Sequence, residues 1–269
     1  MIKQLNYIAS LLIVSLPVLI ATGPFLPDLS IVLIDIIFIT TLIKEKNLKP
    51  LNNRYFKYLF ILWLYFSLRS FFSDDILFSL KSSFFYIRFI ILIYAITYFL
   101  KKDKKLISLF SKMFFLTILF ICCDGLIQYL TGTNIFNYAQ ETPDKLNGVF
   151  KDEAVLGSYL VRLSPLFFGL LYSLNLKNKK KYLVTVSSIV LLSTLIFLSG
   201  SRSSFFLLII FLLLLFMVDI HLRKPMFFSG IIIILSFLAL SQVNSKIYNT
   251  LYYSIQDPIR TMFNEERKS

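Results

Sequence analysis

Long apolar stretches separated by short charged segments dominate this sequence. A helix that crosses the hydrocarbon core of a membrane needs roughly 17–25 mostly apolar residues, because its backbone polar groups must be satisfied within the segment. On that template we count nine spans, at about residues 7–21, 27–43, 56–72, 84–100, 106–130, 154–174, 182–198, 205–220 and 225–241. The sequence therefore predicts an all-α protein, a polytopic transmembrane helix bundle of about nine spans.

The composition supports the same class of protein. Hydrophobic residues make up 57% of the 269 residues, whereas soluble domains average about 45–50%. The 28 Lys and Arg residues outnumber the 15 Asp and Glu residues, which gives a net charge of +13. A nucleic-acid partner would need this charge gathered on one solvated face, but it falls in short runs between the apolar stretches. We therefore expect a membrane, and no nucleic acid, as a partner.

Lysines are concentrated in alternate loops between the predicted spans, at 44–57, 101–105 and 177–181. Lys and Arg in short loops stay on the cytoplasmic side of a membrane. The amino terminus is therefore predicted to be cytoplasmic, and nine crossings place the carboxyl-terminal tail outside. The predicted domains are a transmembrane helical domain at 1–241 and an extracytoplasmic tail at 242–269.

Arginines lie where this topology does not require a cation. Arg88 and Arg162 fall inside predicted spans, about one and two turns from the outer end. A cation within a span costs roughly 2.5–3.5 kcal/mol or more, so it normally faces a polar cavity or a partner. Asp35 and Asp124, which also lie inside spans, are candidate partners. A functional anion site, snorkelling and a structural Arg–Asp pair remain open explanations for both arginines.

Arg202 lies in an outer turn, Ser-Gly-Ser-Arg-Ser-Ser, between two long apolar helices. Gly and Ser suit a tight hairpin, and the free amides at the start of the following helix attract anions. The guanidinium group offers five donors in a fork that matches phosphate. We predict that Arg202 binds an anion.

The segment 145–160 mixes charge, two glycines and aromatic residues at the start of the sixth span. It carries the cations Lys145 and Lys151. Its carboxylates, Asp152 and Glu153, lie where a helix amino terminus favours negative charge, which by itself is a capping explanation. Pro165 further along is expected to kink the helix and to open room near Arg162.

Together these segments resemble a known family. Residues 145–159, followed by Pro165, resemble the basic-x-x-Gly-x-Phe stretch of the O-antigen ligase and polymerase superfamily of bacterial membrane proteins. Residues 198–204 resemble that family's Ser-Arg hairpin, and residues 82–100, with Arg88, fit a stretch that precedes it. The best-matching region is 82–220.

The resemblance implies a glycosyltransferase of the bacterial inner membrane that acts in lipopolysaccharide or other surface polysaccharide synthesis. Its donor is a glycan on undecaprenyl pyrophosphate, and its acceptor, on the periplasmic side, is lipid A core or another glycan. No metal and no other cofactor is implied. The expected pyrophosphate-binding cations are Arg202, Arg162, Arg88, Lys145 and Lys151, and the candidate carboxylates are Asp152, Glu153 and Asp124.

The histidine that this family uses as a base is not found in the expected place. The one histidine, His221, falls in a predicted cytoplasmic loop, and the sequence ends at Ser269, where the family's periplasmic region would begin. We expect a carboxyl-terminally incomplete member, although a partner could complete the site or Glu153 or another carboxylate could replace the base. The alternatives to a transferase are a polysaccharide transporter or flippase and a non-catalytic membrane subunit.

Overall fold

A computed structural model describes residues 2–47, 49–140, 145–151, 153–174, 178–218 and 220–243. These residues form α-helices and two 3-10 turns, and the described part of the chain contains no strand beyond one Thr133–Ala139 bridge. The helices are α1 (Ile2–Ile20), α2 (Phe25–Glu45), α3 (Arg54–Arg69), α4 (Ile76–Phe85), α5 (Ile87–Lys102), α6 (Lys105–Thr131), α7 (Leu156–Ser173), α8 (Asn178–Leu198), α9 (Arg202–Val218) and α10 (Ile220–Val243). The predicted all-α class is confirmed.

Among the described residues, five helical stretches are long and apolar enough to cross a membrane. They are α1, α2, α6, α8 and the combined stretch Ile76–Lys102 of α4 and α5. Each of the nine predicted spans overlaps a helix, but α3 has 16 residues and α9 has 17, shorter than these five. Several apolar helices thus indicate a membrane protein.

The chain divides into two compact units, Met1–Thr117 and Ile118–Ser269, and the boundary falls inside α6. In the first unit α1 packs on α2, and α2 packs on α5. Ala9 and Ala95 are fully buried there, and such small residues let helix backbones approach closely. Phe38, also fully buried, has its ring centroid 6.4 Å from that of Phe99.

The second unit is built around α7, which packs against α8 and α9, while α10 packs on α8 and α9. The carboxyl-terminal half of α6 belongs to this unit, and Gly125 provides a close approach there. A Cβ atom at Gly125 would lie 3.0 Å from Leu156 and 3.4 Å from Leu195. The absence of a side chain thus lets α6 approach residues at the start of α7 and near the end of α8.

Two helices begin with side-chain caps that the sequence supplies. The Asn53 side chain accepts a hydrogen bond from the Tyr55 N–H at 3.2 Å, and the Asp75 carboxylate accepts one from the Phe78 N–H at 3.0 Å. Such caps satisfy amides that have no partner within the helix. Asn53 and Asp75 thus mark the starts of α3 and α4.

The structure also differs from the prediction before the ninth span. The sequence predicts a loop around residues 221–224, but the backbone is helical from Ile220 through Val243. Leu, Arg and Lys in this segment are good helix formers, and only Pro225 opposes a helix. The His221 side chain and most of the predicted tail, residues 244–269, lie outside the described residues.

Candidate anion-binding site

The turn between α8 and α9 presents Arg202 as the first residue of α9. Gly200 has φ of +69°, a left-handed conformation that favours glycine and turns the chain sharply. The first backbone hydrogen bond of α9 runs from the Phe205 N–H to the Ser201 carbonyl oxygen, at 3.1 Å. Amides ahead of that bond have no partner within the helix. The turn thus directs a guanidinium group and a helix amino terminus to one place.

The segment that carries Lys145 lies against this turn. The Leu146 N–H donates to the Ser199 carbonyl oxygen at 3.4 Å, which joins two segments more than fifty residues apart in the sequence. Leu146 is 1% exposed and anchors the segment, whereas Lys145 is exposed. The backbone bond therefore places the Lys145 side chain beside the α8–α9 turn.

Gln128 on α6 holds the next two residues of that segment. Its Oε1 atom accepts hydrogen bonds from the Asn147 N–H at 3.1 Å and from the Gly148 N–H at 2.7 Å. The Gln128 Nε2 group donates to the Tyr138 carbonyl oxygen at 3.3 Å. Gln128 is fully buried, and a buried amide side chain that satisfies several backbone groups fixes their positions.

Asp124, one turn earlier on α6, fixes the preceding loop in the same way. Its Oδ1 atom accepts from the Ile135 N–H at 3.0 Å, and its Oδ2 atom accepts from the Asn134 Nδ2 group at 3.3 Å. The Asn134 Nδ2 group also donates to the Gly148 carbonyl oxygen at 2.8 Å. Asp124 is fully buried, so this candidate carboxylate contacts the loop backbone.

Gly157 brings α7 against the α8–α9 turn. A Cβ atom on Gly157 would overlap the Ser199 hydroxyl group and would lie 3.4 Å from the Ser201 Cβ atom. The two segments that carry the sequence-predicted motifs are therefore in contact at Gly157, where the absence of a side chain lets them approach.

A cavity of about 490 Å³ opens at this junction. It is lined by Lys145, Ala154, Gly200, Ser201, Arg202 and Ser203. Lys145 and Arg202 provide its cations, and none of these lining residues carries a carboxylate. The lining suits a polyanionic group, since serine hydroxyl groups and helix-start amides add donors to the two positive charges.

Other predicted site residues do not line this cavity. The Arg162 side chain is exposed on α7, outside that helix's buried face. Lys151 has φ of +54°, and its Nζ atom lies 6.0 Å from the centroid of the Tyr138 ring. Glu153 is exposed, and α7 begins three residues after it with no side-chain cap at Val155. Asp152 lies outside the described residues.

Arg88, in the first unit, forms a salt bridge. Its Nη2 atom lies 2.9 Å from the Asp28 Oδ2 atom, and its guanidinium carbon lies 4.9 Å from the centroid of the Phe89 ring. Asp28 belongs to the first turn of α2 and is a partner that the sequence pattern did not identify. Both side chains keep some exposure, at 29% for Arg88 and 45% for Asp28.

Gln128 and Asn134, which hold the backbone of residues 147 and 148, are residues that the sequence pattern did not identify. A signal was present, because Gln128 interrupts an apolar span one turn after Asp124, and polar residues at that depth must find partners. No protein-family model, curated protein or solved structure matches this chain.

Proposed function

We propose that this chain is an O-antigen ligase-like protein of the bacterial inner membrane, which transfers a glycan from undecaprenyl pyrophosphate on the periplasmic side. The observation that supports this function most is the cavity shared by Lys145 and Arg202. The two linked phosphoryl groups of a pyrophosphate need more than one cation and several neutral hydrogen-bond donors. This lining provides the cations and the donors.

The chemistry assigned to the cavity is stabilisation of a leaving group. In the transfer, an acceptor hydroxyl oxygen bonds to the anomeric carbon while the bond between that carbon and the pyrophosphate oxygen breaks. The pyrophosphate keeps the electron pair, and the hydroxyl proton passes to a base. Cations fixed before the reaction lower the barrier because they need no reorganisation as negative charge develops. Arg202 and Lys145 are assigned this role.

A lipid-linked donor suits a cavity at the end of apolar helices. Arg202 begins α9, whose outer surface is apolar, with Phe206 63% exposed and Leu213 55% exposed. Soluble proteins rarely expose large contiguous apolar patches, so this surface of α9 suits contact with lipid. A prenyl chain could lie along it in the membrane while the pyrophosphate group occupies the cavity at Arg202. The proposed topology has nine spans, a cytoplasmic amino terminus and the α8–α9 turn on the periplasmic side.

The proposed base is Glu153. It is exposed, and it directly precedes Ala154, which lines the cavity. Asp124 is an unsuitable base because both of its oxygen atoms accept hydrogen bonds from the buried loop. The proposed acceptor is a glycan unit or lipid A core, which needs a hydroxyl group presented at the mouth of the cavity.

The proposal is tested by donor binding to the full chain in lipid nanodiscs. Undecaprenyl pyrophosphate is expected to bind more tightly than undecaprenyl monophosphate, since the second phosphoryl group uses the second cation. Arg202→Ala should weaken pyrophosphate binding by roughly 10–100-fold, the value of a charge-assisted hydrogen bond. Lys180→Ala, an exposed lysine outside the cavity, should bind as the unmodified chain does. If the Arg202→Ala chain bound undecaprenyl pyrophosphate as tightly as the unmodified chain, Arg202 would not be a pyrophosphate-binding residue.

A further inference from the structure

A second cavity lies within the first unit, between α1, α5 and the start of α6, and has a volume of about 470 Å³. One end of its lining is polar and includes Lys3, Asn6 and Lys102. The remainder includes Leu11, Val14 and Leu109, which are apolar. A cavity with a cationic end and an apolar wall matches the two chemically different parts of a phospholipid.

The polar end is fixed by hydrogen bonds and by a salt bridge between Lys102 and Glu45. The Lys102 Nζ group donates to the Glu45 Oε1 atom at 2.7 Å and to the Tyr98 hydroxyl oxygen at 3.0 Å. The Asp103 Oδ1 atom accepts from the Lys105 N–H at 2.9 Å and so caps α6. The lining therefore carries the cations Lys3 and Lys102 together with the carboxylate Asp103, whose Oδ1 atom is bonded to the backbone.

Residues 101–105 hold four lysines and one acid, Asp103, and of these lysines Lys102 lines the cavity. The segment alone carries a net charge of +3, and Lys3 adds to it. An anionic headgroup is favoured over a zwitterionic one, because basic pockets between transmembrane helices on the cytoplasmic side attract anionic lipids.

Asn6 provides an independent indication of a ligand. Its Oδ1 atom is buried, and no described residue donates a hydrogen bond to it. Asn6 lines the cavity, and an unsatisfied buried acceptor is costly. A headgroup that carries hydroxyl donors beside its phosphate, as a glycerol headgroup does, would satisfy Asn6 while the lysines bind the phosphate.

The length of the cavity matches one leaflet of a membrane. Lys3 and Val14 are eleven residues apart on α1, which corresponds to about 16 Å at a rise of about 1.5 Å per residue. The hydrocarbon core is about 30 Å thick, so half of it is about 15 Å. An acyl chain whose phosphate lies at Lys3 would thus follow the apolar wall to about the middle of the membrane.

We propose that this cavity binds an anionic phospholipid with a glycerol headgroup, with its phosphate at Lys3 and Lys102 and an acyl chain along Leu11 and Val14. The site is separate from the cavity at Arg202 and does not depend on the proposed glycan transfer. Occupancy would stabilise the first unit, because a lipid that binds only the folded chain shifts the equilibrium towards it.

The test measures the thermal stability of the full chain in detergent with added phosphatidylglycerol, phosphatidylcholine or inorganic phosphate. Phosphatidylglycerol should raise the melting temperature more than phosphatidylcholine does, and phosphate alone should have no effect. Lys3→Gln should weaken the apparent affinity for phosphatidylglycerol by about fivefold, the contribution of one lysine near an anionic lipid. Lys101→Gln, a change to an exposed lysine that does not line the cavity, should leave the affinity unchanged.

A second pair of variants tests the apolar wall. Ser10→Phe would fill the cavity from α1 and should abolish the phosphatidylglycerol-specific stabilisation. Ile8→Phe, on an exposed part of α1 outside the cavity, is the matched control and should preserve it. Equal stabilisation by both phospholipids, an equal effect of phosphate alone, or equal losses in Lys3→Gln and Lys101→Gln would overturn the proposal.

Discussion

Gly157 on α7 packs so tightly against Ser199 in the α8–α9 turn that a single methyl group on Gly157 would overlap the Ser199 hydroxyl group. Ser199 is 1% exposed, and its hydroxyl group donates to the Ile196 carbonyl oxygen at 2.6 Å. The serine therefore cannot move aside without losing a buried hydrogen bond. This contact sets the distance between α7 and the turn that carries Arg202.

Gly157→Ala should destabilise the protein by about 1–3 kcal/mol, the usual cost of inserting a methyl group into a packed site. Gly169→Ala, on the same helix, is the matched control, because a Cβ atom there would contact nothing within 4 Å. That control should be neutral or stabilise by about 0.5–1 kcal/mol, since alanine favours a helix more than glycine does. Unfolding of both variants in detergent provides the measurement, and equal stability would show that α7 does not depend on this contact.

Gln128→Leu should loosen the segment that presents Lys145. The substitution removes the acceptor for two buried amides, those of Asn147 and Gly148, and each unsatisfied group costs about 1–3 kcal/mol. Hydrogen–deuterium exchange should therefore accelerate in residues 145–150. Gln4→Leu, at an exposed position on α1, is the control and should leave that exchange unchanged. Exchange that stays slow in Gln128→Leu would show that other contacts hold the segment.

The Arg88–Asp28 pair is expected to behave as a coupled unit. Arg88→Gln and Asp28→Asn should each reduce stability, and the double variant should lose less than the sum of the two. The coupling should be about 0.5–1 kcal/mol, because both side chains remain partly exposed at 29% and 45%. Strictly additive losses would show that the 2.9 Å contact contributes nothing to folding.

The proposed topology predicts which turns a membrane-impermeant reagent reaches. After replacement of the native Cys122 and Cys123, a cysteine introduced at Ser203 should react from the outside of intact cells. A cysteine at Lys180 should react only after the membrane is permeabilised, because that lysine cluster is predicted to be cytoplasmic. The reverse labelling pattern would show that the topology is inverted and that the cavity does not lie on the periplasmic side.

Hydropathy predicted the helices well, because the hydrophobic pattern is a local property that each segment carries by itself. All nine predicted spans overlap helices, and the Arg202 turn begins a helix as expected. Residues 221–224 are helical, although they fall between two predicted spans, because their charged side chains interrupt the apolar pattern without ending the helix. The number of membrane crossings and their direction remain predictions.

The site was only partly predictable, because its geometry depends on contacts between distant segments. Arg202 is predicted to bind an anion from its local pattern and Lys145 from the family resemblance, but their shared cavity depends on the bond from the Leu146 N–H to Ser199. No local pattern encodes that bond. For Arg88, the sequence offered Asp35 and Asp124 as partners because all three lie inside spans, whereas Asp28 at the start of α2 makes the contact.

A double-mutant cycle at Lys145 and Arg202 measures whether the two cations bind one polyanionic group together. Undecaprenyl pyrophosphate binding would be measured for the unmodified chain, Lys145→Gln, Arg202→Gln and the double variant at fixed salt concentration. We predict that each single change weakens binding at least about tenfold, and that the double variant loses less than the product of the two single effects, since both cations act on one bound group. Unchanged binding in either single variant, or strictly multiplicative losses in the double variant, would contradict a shared site.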